Sequence, residues 1–378
     1  MRCDVVIVGA GIGGAVLALD LGRRGWRVAL VERETAPPKI ARPEILWSPT
    51  TNALERYGVA DAIRERASVK LEAIEIGGET PWLRITRDDF DAAGIDAFST
   101  NPATTRAVIA DAAMATGNVE IHRGVTVEAL LRENGRVAGI RGKRGDETFE
   151  LEAKLVVGDD GGNSIVRTQL GIPIALTPFP VEFVTAVLPQ WPLAANRVRV
   201  WLDFRSDTPA VGLIPWPENE GVFLMPIPAD RAMPEKFGNT LPPIDFPRDL
   251  KRIARPFGHA PSYVADGAAL IGDAIHPMTP AGGQGANASI WDALALADVA
   301  DAALRAGDVS RERLLAYEQL RRPINEQSVA ISRLARRIFR TGRFLPLTFV
   351  IPFAIRTIQA LGWPKRRIIR AFASTFVR

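Results

Sequence analysis

The stretch at residues 4–14 reads DVVIVGAGIGG, a short apolar run followed by four glycines within six positions. The run Asp4–Val8 predicts a buried β-strand, and the pattern over Ile12–Arg24 predicts a helix. A second apolar strand, Arg27–Val31, follows and ends at Glu32. This order is a βαβ unit, which indicates a parallel sheet covered by helices.

The turn Gly9–Gly14 fits the dinucleotide-binding pattern G-x-G-x-x-G between a strand and a helix. Its glycines let backbone amides approach a pyrophosphate, and the helix N-terminus stabilises the negative charge. Glu32 ends the second strand, where a carboxylate can accept hydrogen bonds from ribose hydroxyls. The alternative is a tight turn without a ligand, and the motif does not choose between NAD and FAD.

Composition narrows the class of protein. The chain has 378 residues, 47% of them hydrophobic and 24% charged, which excludes disordered, collagenous and coiled-coil classes. The single cysteine, Cys3, excludes an internal disulfide and predicts a reducing, cytoplasmic location. With only three histidines as well, we predict no metal site. We predict neither a signal peptide nor a membrane-spanning helix.

Two further glycine-containing turns follow predicted strands. Residues 158–167 read GDDGGNSIVR, which on its own is typical of an ordinary turn. Residues 269–287 read ALIGDAIHPMTPAGGQGAN and place Asp273 at the carboxyl end of a strand, the usual ligand crevice of such sheets. The loop then leads into a helix whose first amides suit an anion or an electron-rich oxygen.

In order and spacing, the three turns resemble those of single-component FAD-dependent monooxygenases related to p-hydroxybenzoate hydroxylase, which include ubiquinone-pathway hydroxylases. The resemblance covers about residues 1–330. It implies an α/β fold in which a Rossmann-like FAD-binding domain is interleaved with a smaller antiparallel-sheet substrate domain and closed by a C-terminal helical tail. The implied segments are 1–70, 101–175 and 268–330 for the FAD-binding domain, 71–100 and 176–267 for the substrate domain, and 331–378 for the tail.

The resemblance also implies a set of site residues. Arg42, in a loop that reaches the flavin, and Pro280, beside its reactive carbon, are implied in catalysis. The implied cofactor-binding residues are Gly9, Gly11, Ile12, Gly13, Gly14, Glu32, Arg33, Arg42, Arg106, Val127, Asp160, Gly161, Asp273, Pro280, Gly283, Gln284, Gly285, Ala286 and Asn287. Asp159 departs from the pattern, since the family commonly has alanine there. We expect His276 to fix its loop rather than to catalyse.

The implied activity is oxygenation. NAD(P)H, bound transiently, would reduce non-covalently bound FAD, and O2 would form a flavin C4a-hydroperoxide that inserts one oxygen atom into an aromatic or other electron-rich apolar substrate. Two alternatives stay open: an FAD-dependent reductase or dehydrogenase of a lipid or isoprenoid, and a non-catalytic flavin-binding protein that docks on a membrane. Residues 176–267 contain aromatic and apolar side chains that either line a substrate pocket or form the core of the sheet, namely Trp191, Trp201, Phe204, Trp216, Phe223 and Met225.

The C-terminal tail is strongly basic. Residues 327–378 hold eleven Lys and Arg residues and no Asp or Glu, so the rest of the chain is net acidic. Apolar residues recur at helical spacing, at 331, 334, 335, 338 and 339 and again at 368, 369, 372 and 376. One interpretation packs these stripes on the FAD-binding domain or a second subunit, which would bury Leu334, Ile338, Ile368 and Phe372. The other is peripheral attachment to the inner face of an anionic membrane. We predict no nucleic-acid partner.

Overall fold

Four β-sheets and their helices make up the part of the chain that the computed structural model describes, namely residues 2–36, 42–202, 210–232, 247, 249–280, 283–341, 345–361, 363–375 and 377. The strands are β1 (Val5–Val8), β2 (Val28–Glu32), β3 (Glu44–Trp47), β4 (Ser68–Lys70), β5 (Ala73–Gly77), β6 (Pro81–Thr86), β7 (Ala97–Thr100), β8 (Val119–Arg123), β9 (Val125–Glu133), β10 (Arg136–Arg144), β11 (Glu147–Glu152), β12 (Leu155–Gly158), β13 (Val181–Leu188), β14 (Arg197–Leu202), β15 (Ala210–Pro215), β16 (Gly221–Pro228), β17 (Lys251–Ile253), β18 (Val264–Ala265) and β19 (Ala268–Leu270). The helices are α1 (Ile12–Arg23), α2 (Ser48–Ala53), α3 (Ala60–Ala62), α4 (Arg87–Ala93), α5 (Pro102–Met114), α6 (Ile165–Gln169), α7 (Gly285–Arg305), α8 (Arg311–Thr341), α9 (Leu345–Leu361) and α10 (Trp363–Ser374).

A six-stranded sheet in the order β18-β19-β12-β1-β2-β8 carries the predicted βαβ unit. All its pairings are parallel except that of the edge strand β18. The register sets Val5 beside Val28 on one side and beside Leu155 on the other, and all three side chains are buried. Gly25, with a φ of 88°, follows α1 and allows the reversal into β2. The α/β fold predicted from the sequence is confirmed.

A seven-stranded sheet in the order β17-β13-β16-β15-β14-β5-β6 forms the second large layer. Its pairings are antiparallel apart from that of β14 with β5. Residues 73–86 therefore join strands that follow position 180, which is the interleaving expected for the substrate domain. The domain boundaries themselves stay a prediction.

The C-terminal helices pack on the second layer. The Lys365 ammonium donates to the Arg84 carbonyl at 2.9 Å and lies 3.2 Å from the Asp89 carboxylate, while the Arg370 guanidinium donates to the Ala93 carbonyl at 2.8 Å. These bonds fix the rotation of α10 against α4, so that Ile369 and Ala373 are buried.

The predicted buried stripe of the tail is wrong at two positions. Leu334 is 59% exposed and Ile368 is 41% exposed, while Phe372 is half-buried. On α8 the inward face is instead that of Val329 and Ser332, because Ser332 Oγ lies 3.3 Å from the amide of Thr279. The predicted side chains of Ile338, Phe339 and Phe376 lie outside the described residues.

No helix among the described residues combines the length and the apolar character that crossing a bilayer requires.

Candidate functional site

The three glycine turns meet at the carboxyl ends of adjacent parallel strands. Backbone bonds join them directly: the amide of Asp159 donates to the carbonyl of Val8 at 2.7 Å, and the amide of Ile271 donates to that of Gly158 at 2.9 Å. Because β12 lies between β1 and β19, the turn after β12 holds the other two in place. The sheet thus assembles one crevice from segments more than 100 residues apart.

Side chains of the second turn reinforce this assembly. Arg167, which is buried, donates to the carbonyl of Ala274 at 2.7 Å and to that of Gly162 at 2.8 Å. Asp160 Oδ2 accepts from the amides of Ile165 at 2.7 Å and Val166 at 3.1 Å, so it caps α6. Its other oxygen is buried without a hydrogen-bond partner in the described structure, and burial raises the pKa of Asp160.

A cavity of about 440 Å³ lies over the crevice, within the size range of cofactor sites. We call it the nucleotide cavity. It is lined by ten of the residues implied by the sequence, namely Gly9, Gly11, Glu32, Arg33, Arg42, Arg106, Val127, Asp160, Gly161 and Asp273. Glu32 lies at its edge, where Oε2 accepts from the amide of Ala10 at 3.0 Å. The carboxylate is therefore held at the end of β2, as a ribose-binding role requires.

A smaller cavity of about 50 Å³, the inner cavity, continues from the first. Arg42, Arg255 and Asp273 line both, and Asp273 Oδ2 lies 3.7 Å from each guanidinium group. The inner cavity is also lined by the implied residues Pro280, Gly283, Gln284, Gly285 and Ala286. Burial lowers the pKa of Arg255, a residue that the sequence did not single out.

The N-terminus of α7 lines the inner cavity, and polar groups near it have no hydrogen-bond partner in the described structure. The first turn of α7 contains no acidic residue, so no side-chain carboxylate there balances its amides. Both amide atoms of the buried Gln284 side chain and the hydroxyl of Thr185 lack a hydrogen-bond partner in the described structure. Buried polar groups of this kind normally have partners, so the end of this cavity suits a ligand with several donors and acceptors.

Four of the implied residues do not line either cavity. Gly13 and Gly14 pack against the neighbouring turns, and Ile12 is buried at the start of α1. Asn287 is buried and bonds to β3, with Nδ2 donating to the carbonyl of Ile45 at 2.8 Å and Oδ1 accepting from the amide of Trp47. The side chain of Asn287 therefore holds β3 against α7.

The aromatic residues proposed for a substrate pocket belong to the core. Trp201, Phe223 and Met225 are buried in one apolar cluster and Trp216 in another, and Trp191 packs against the first. Phe204 lies outside the described residues. The inner cavity is lined by Phe183 and Leu224, and Leu224 comes from the opposite face of β16 to its two neighbours. Alternation along a strand defines two faces, but does not say which one meets the ligand.

A buried polar cluster behind the third turn was not predicted. Asp292 on α7 is fully buried and accepts from Arg321 at 2.9 Å, from Asn325 at 3.0 Å and from the amide of Gly272 at 3.2 Å. His276 Nε2 lies 2.5 Å from the same carboxylate, and His276 is fully buried. This geometry agrees with the loop-fixing role expected for His276.

The groups along the two cavities fit FAD. A carboxylate and the glycine turn stand at one end and Asp273 stands in the middle. At the other end is a chamber with one apolar wall and unpaired amide groups. These match, in order, an adenosine diphosphate, a polyol chain and a ring with polar edges. One group does not match: Asp159, an additional acid beside the first turn.

Comparison with known proteins agrees with this fit. The FAD binding domain family matches residues 2–240 and 257–332. The chain belongs to this family. The predicted resemblance to FAD-dependent monooxygenases is thereby confirmed, with FAD as the cofactor of this flavoprotein.

Individual relatives differ in activity. Rifampicin monooxygenase of Streptomyces venezuelae is 29% identical over 310 residues, which are 78% of this chain and 63% of that protein's length. Digeranylgeranylglycerophospholipid reductase of Methanothrix thermoacetophila is 28% identical, covering 84% of this chain and 83% of that protein. The structure of p-nitrophenol 4-monooxygenase from Pseudomonas putida superposes with a TM-score of 0.87 at 21% identity, over 99% of this chain and 98% of that one, a likeness of fold.

Proposed function

We propose that this flavoprotein is an NAD(P)H-dependent monooxygenase that inserts one oxygen atom of O2 into an aromatic or other electron-rich apolar substrate. The observation that carries the proposal is the inner cavity, because it joins an apolar wall to the cofactor-facing loop. Phe183, Leu224 and Met278 line it together with Pro280. The relationship to rifampicin monooxygenase supports the reaction class.

The chain's residues would bind and orient the cofactor. When bound, FAD supplies the redox chemistry by taking a hydride from NAD(P)H and activating O2. We assign Glu32 and the turn Gly9–Gly14 to the adenosine diphosphate part, and Asp273 to the polyol chain. The amides at the start of α7 and the Gln284 side chain would stabilise negative charge on the polar edge of the ring.

Proton handling on the substrate side is assigned to Glu44. Its carboxyl lines the inner cavity and accepts a 2.7 Å bond from the hydroxyl of Thr100. Burial raises the pKa of Glu44. A carboxyl of this kind can accept the proton of a substrate hydroxyl more readily than an exposed one.

The test is NAD(P)H oxidation followed together with O2 uptake, over a panel of phenols and larger aromatic compounds. The proposal expects a substrate that stimulates both in equal amounts. Leu224→Trp should crowd the apolar wall of the inner cavity and reduce this stimulation, and the flavin absorbance of the variant reports whether FAD is still bound. Val187→Trp is the matched control, because Val187 is exposed on the same sheet. Product formation without O2 uptake would refute the proposal.

A reductase is the second candidate, favoured by the 28% identity to a lipid reductase. The same panel, extended to isoprenoid lipids and run without O2, separates the two candidates. A reductase makes product under those conditions, whereas a monooxygenase does not.

The tail adds a proposed peripheral contact with an anionic membrane. Phe353, Leu361 and Ile368 are exposed by 73%, 56% and 41%, and exposed basic residues such as Arg356 and Arg366 lie on the same two helices. Apolar side chains beside cations are typical of surfaces that bind acidic lipids.

Flotation with phosphatidylglycerol and phosphatidylcholine vesicles tests this contact. Binding should require the anionic lipid, weaken as salt rises and be lost in the double variant Phe353→Ser, Leu361→Ser. Met114→Ser, which removes an exposed apolar residue elsewhere, should leave it unchanged. No flotation, together with a mass that doubles with concentration, would assign this surface to a homodimer instead.

A further inference from the structure

The side chain of Asp159 is wedged between two turns that line the nucleotide cavity. Its Oδ2 accepts a 2.7 Å hydrogen bond from the amide of Gly14, in the first turn of α1. A Cβ atom at Gly11 would overlap the same oxygen, and one at Gly272 would come within 2.9 Å of Oδ1. A carboxyl group of the protein thus lies against the helix N-terminus that normally attracts a phosphate.

Acidic neighbours surround this carboxyl group. Burial raises the pKa of Asp159 well above its usual range, and nearby carboxylates raise it further. The titratable and charged groups that face it are Asp160 on its own turn, Asp273 after β19, Asp292 on α7, Arg106 on α5 and Tyr317 on α8. Glu32, Arg42 and Arg255 line the same cavity. The hydrogen bond from Gly14 lowers the pKa of Asp159, but burial and the three carboxylates raise it, and the net shift is upward.

We propose that Asp159 controls FAD binding: the cofactor's pyrophosphate binds tightly at the Gly9–Gly14 turn only when the Asp159 carboxyl group carries a proton. The pyrophosphate brings negative charge into the cavity that Asp159 lines, and like charges in a poorly solvated site cannot both stay ionised at low cost. The proposal rests on membership of the FAD-binding family and not on the proposed oxygenation.

This coupling makes FAD affinity dependent on pH. If binding takes up one proton, the Kd for FAD rises about tenfold per pH unit once Asp159 is ionised in the free protein. The family's usual alanine at this position has no charge to neutralise, so a chain with that residue escapes the penalty. Asp159 would make FAD retention weaker in alkaline than in neutral solution.

The experiment measures the Kd for FAD by quenching of flavin fluorescence, from about pH 6 to about pH 9. For the unaltered protein we expect the Kd to rise with pH within this range, with a limiting slope of about tenfold per pH unit. Asp159→Asn preserves the shape and an acceptor for the amide of Gly14, and its Kd should change less than about twofold. Asp146→Asn is the matched control, since it removes the same charge from an exposed turn and should keep the full rise.

Two further measurements keep the proposal testable if Asp159→Asn does not fold. Asp159→Ala, the family's usual residue, should also flatten the dependence. ADP-ribose, used as a probe because its pyrophosphate is esterified at both ends and does not titrate in this range, should show the same rise with pH, whereas adenosine, which has no phosphate, should not. A flat profile for the unaltered protein, or an equal slope in a folded Asp159 variant, would overturn the proposal.

Discussion

Replacing Asp292 by asparagine should destabilise the protein more than any single surface change. The carboxylate is fully buried and holds four partners from two segments of the chain: Gly272 and His276 in the third turn, and Arg321 and Asn325 on α8. Burial alone would raise the pKa of Asp292, but His276 and Arg321 lower it below its usual range. The group is therefore charged in the folded protein. Asparagine removes that charge and turns an amide hydrogen towards existing donors.

The expected loss of stability follows from the buried charge of Arg321, which remains when the Asp292 carboxylate is removed. Arg321 is 1% exposed, and a buried guanidinium that loses its carboxylate costs about 3–5 kcal/mol. At about 2 °C per kcal/mol for a large domain, Tm should fall by about 8 °C. The loss should also loosen the turn at Gly272, so FAD should dissociate faster from the variant. Differential scanning fluorimetry and the fluorescence of released FAD measure both effects.

A control and a double variant make this prediction specific. Asp298→Asn, on the exposed side of the same helix, removes a surface ion pair and should cost at most about 1 kcal/mol. Combining Asp292→Leu with Arg321→Met should cost less than the sum of the single changes, with a coupling energy of about 2 kcal/mol. Strict additivity, or a fall in Tm no larger than that of Asp298→Asn, would refute the reasoning.

Three more outcomes are expected. Burial lowers the pKa of His259 to about 4, so between there and about pH 6.5 the unfolded chain binds a proton that the folded chain does not. The free energy of unfolding should therefore fall by up to about 3 kcal/mol as the pH decreases through this range, and His259→Gln should remove that dependence in urea titrations. Gly11→Ala should cost about 1–3 kcal/mol by overlap with Asp159, and should cost little in an Asp159→Ala background. Asp273→Ala should weaken FAD binding by about 1.5–3 kcal/mol through loss of a charge-assisted hydrogen bond, measured by equilibrium dialysis, and unchanged affinity would remove Asp273 from the site.

The sequence predicts the βαβ unit and the order of the three turns well, because strand, glycine and helix patterns are local. Asp273 is found for the same reason, as the residue that follows a buried strand. The bond from Gly14 to Asp159 joins positions 145 residues apart, and no local pattern reports it. The only sign in the sequence is that Asp159 stands where the family commonly has alanine. This sign identifies the residue but does not reveal its hydrogen bond with Gly14.

Other parts of the site depend on tertiary packing. Leu224, rather than Phe223 or Met225, reaches the inner cavity because the register of β16 with β13 decides which face is inward. Thr185 comes from β13 and Arg255 from the segment after β17, and neither belongs to a motif. In the tail, helical spacing predicts the apolar stripe of α10. The hydrogen bonds of Lys365 and Arg370 decide how that helix is rotated, and in this rotation Ile368 is exposed.

The most direct test of the proposed oxygenation is turnover under isotopically labelled O2, with the product analysed by mass spectrometry. We expect one labelled oxygen atom in each product molecule for each NAD(P)H oxidised. An unlabelled product, whether hydroxylated from water or merely reduced, would contradict the monooxygenase assignment.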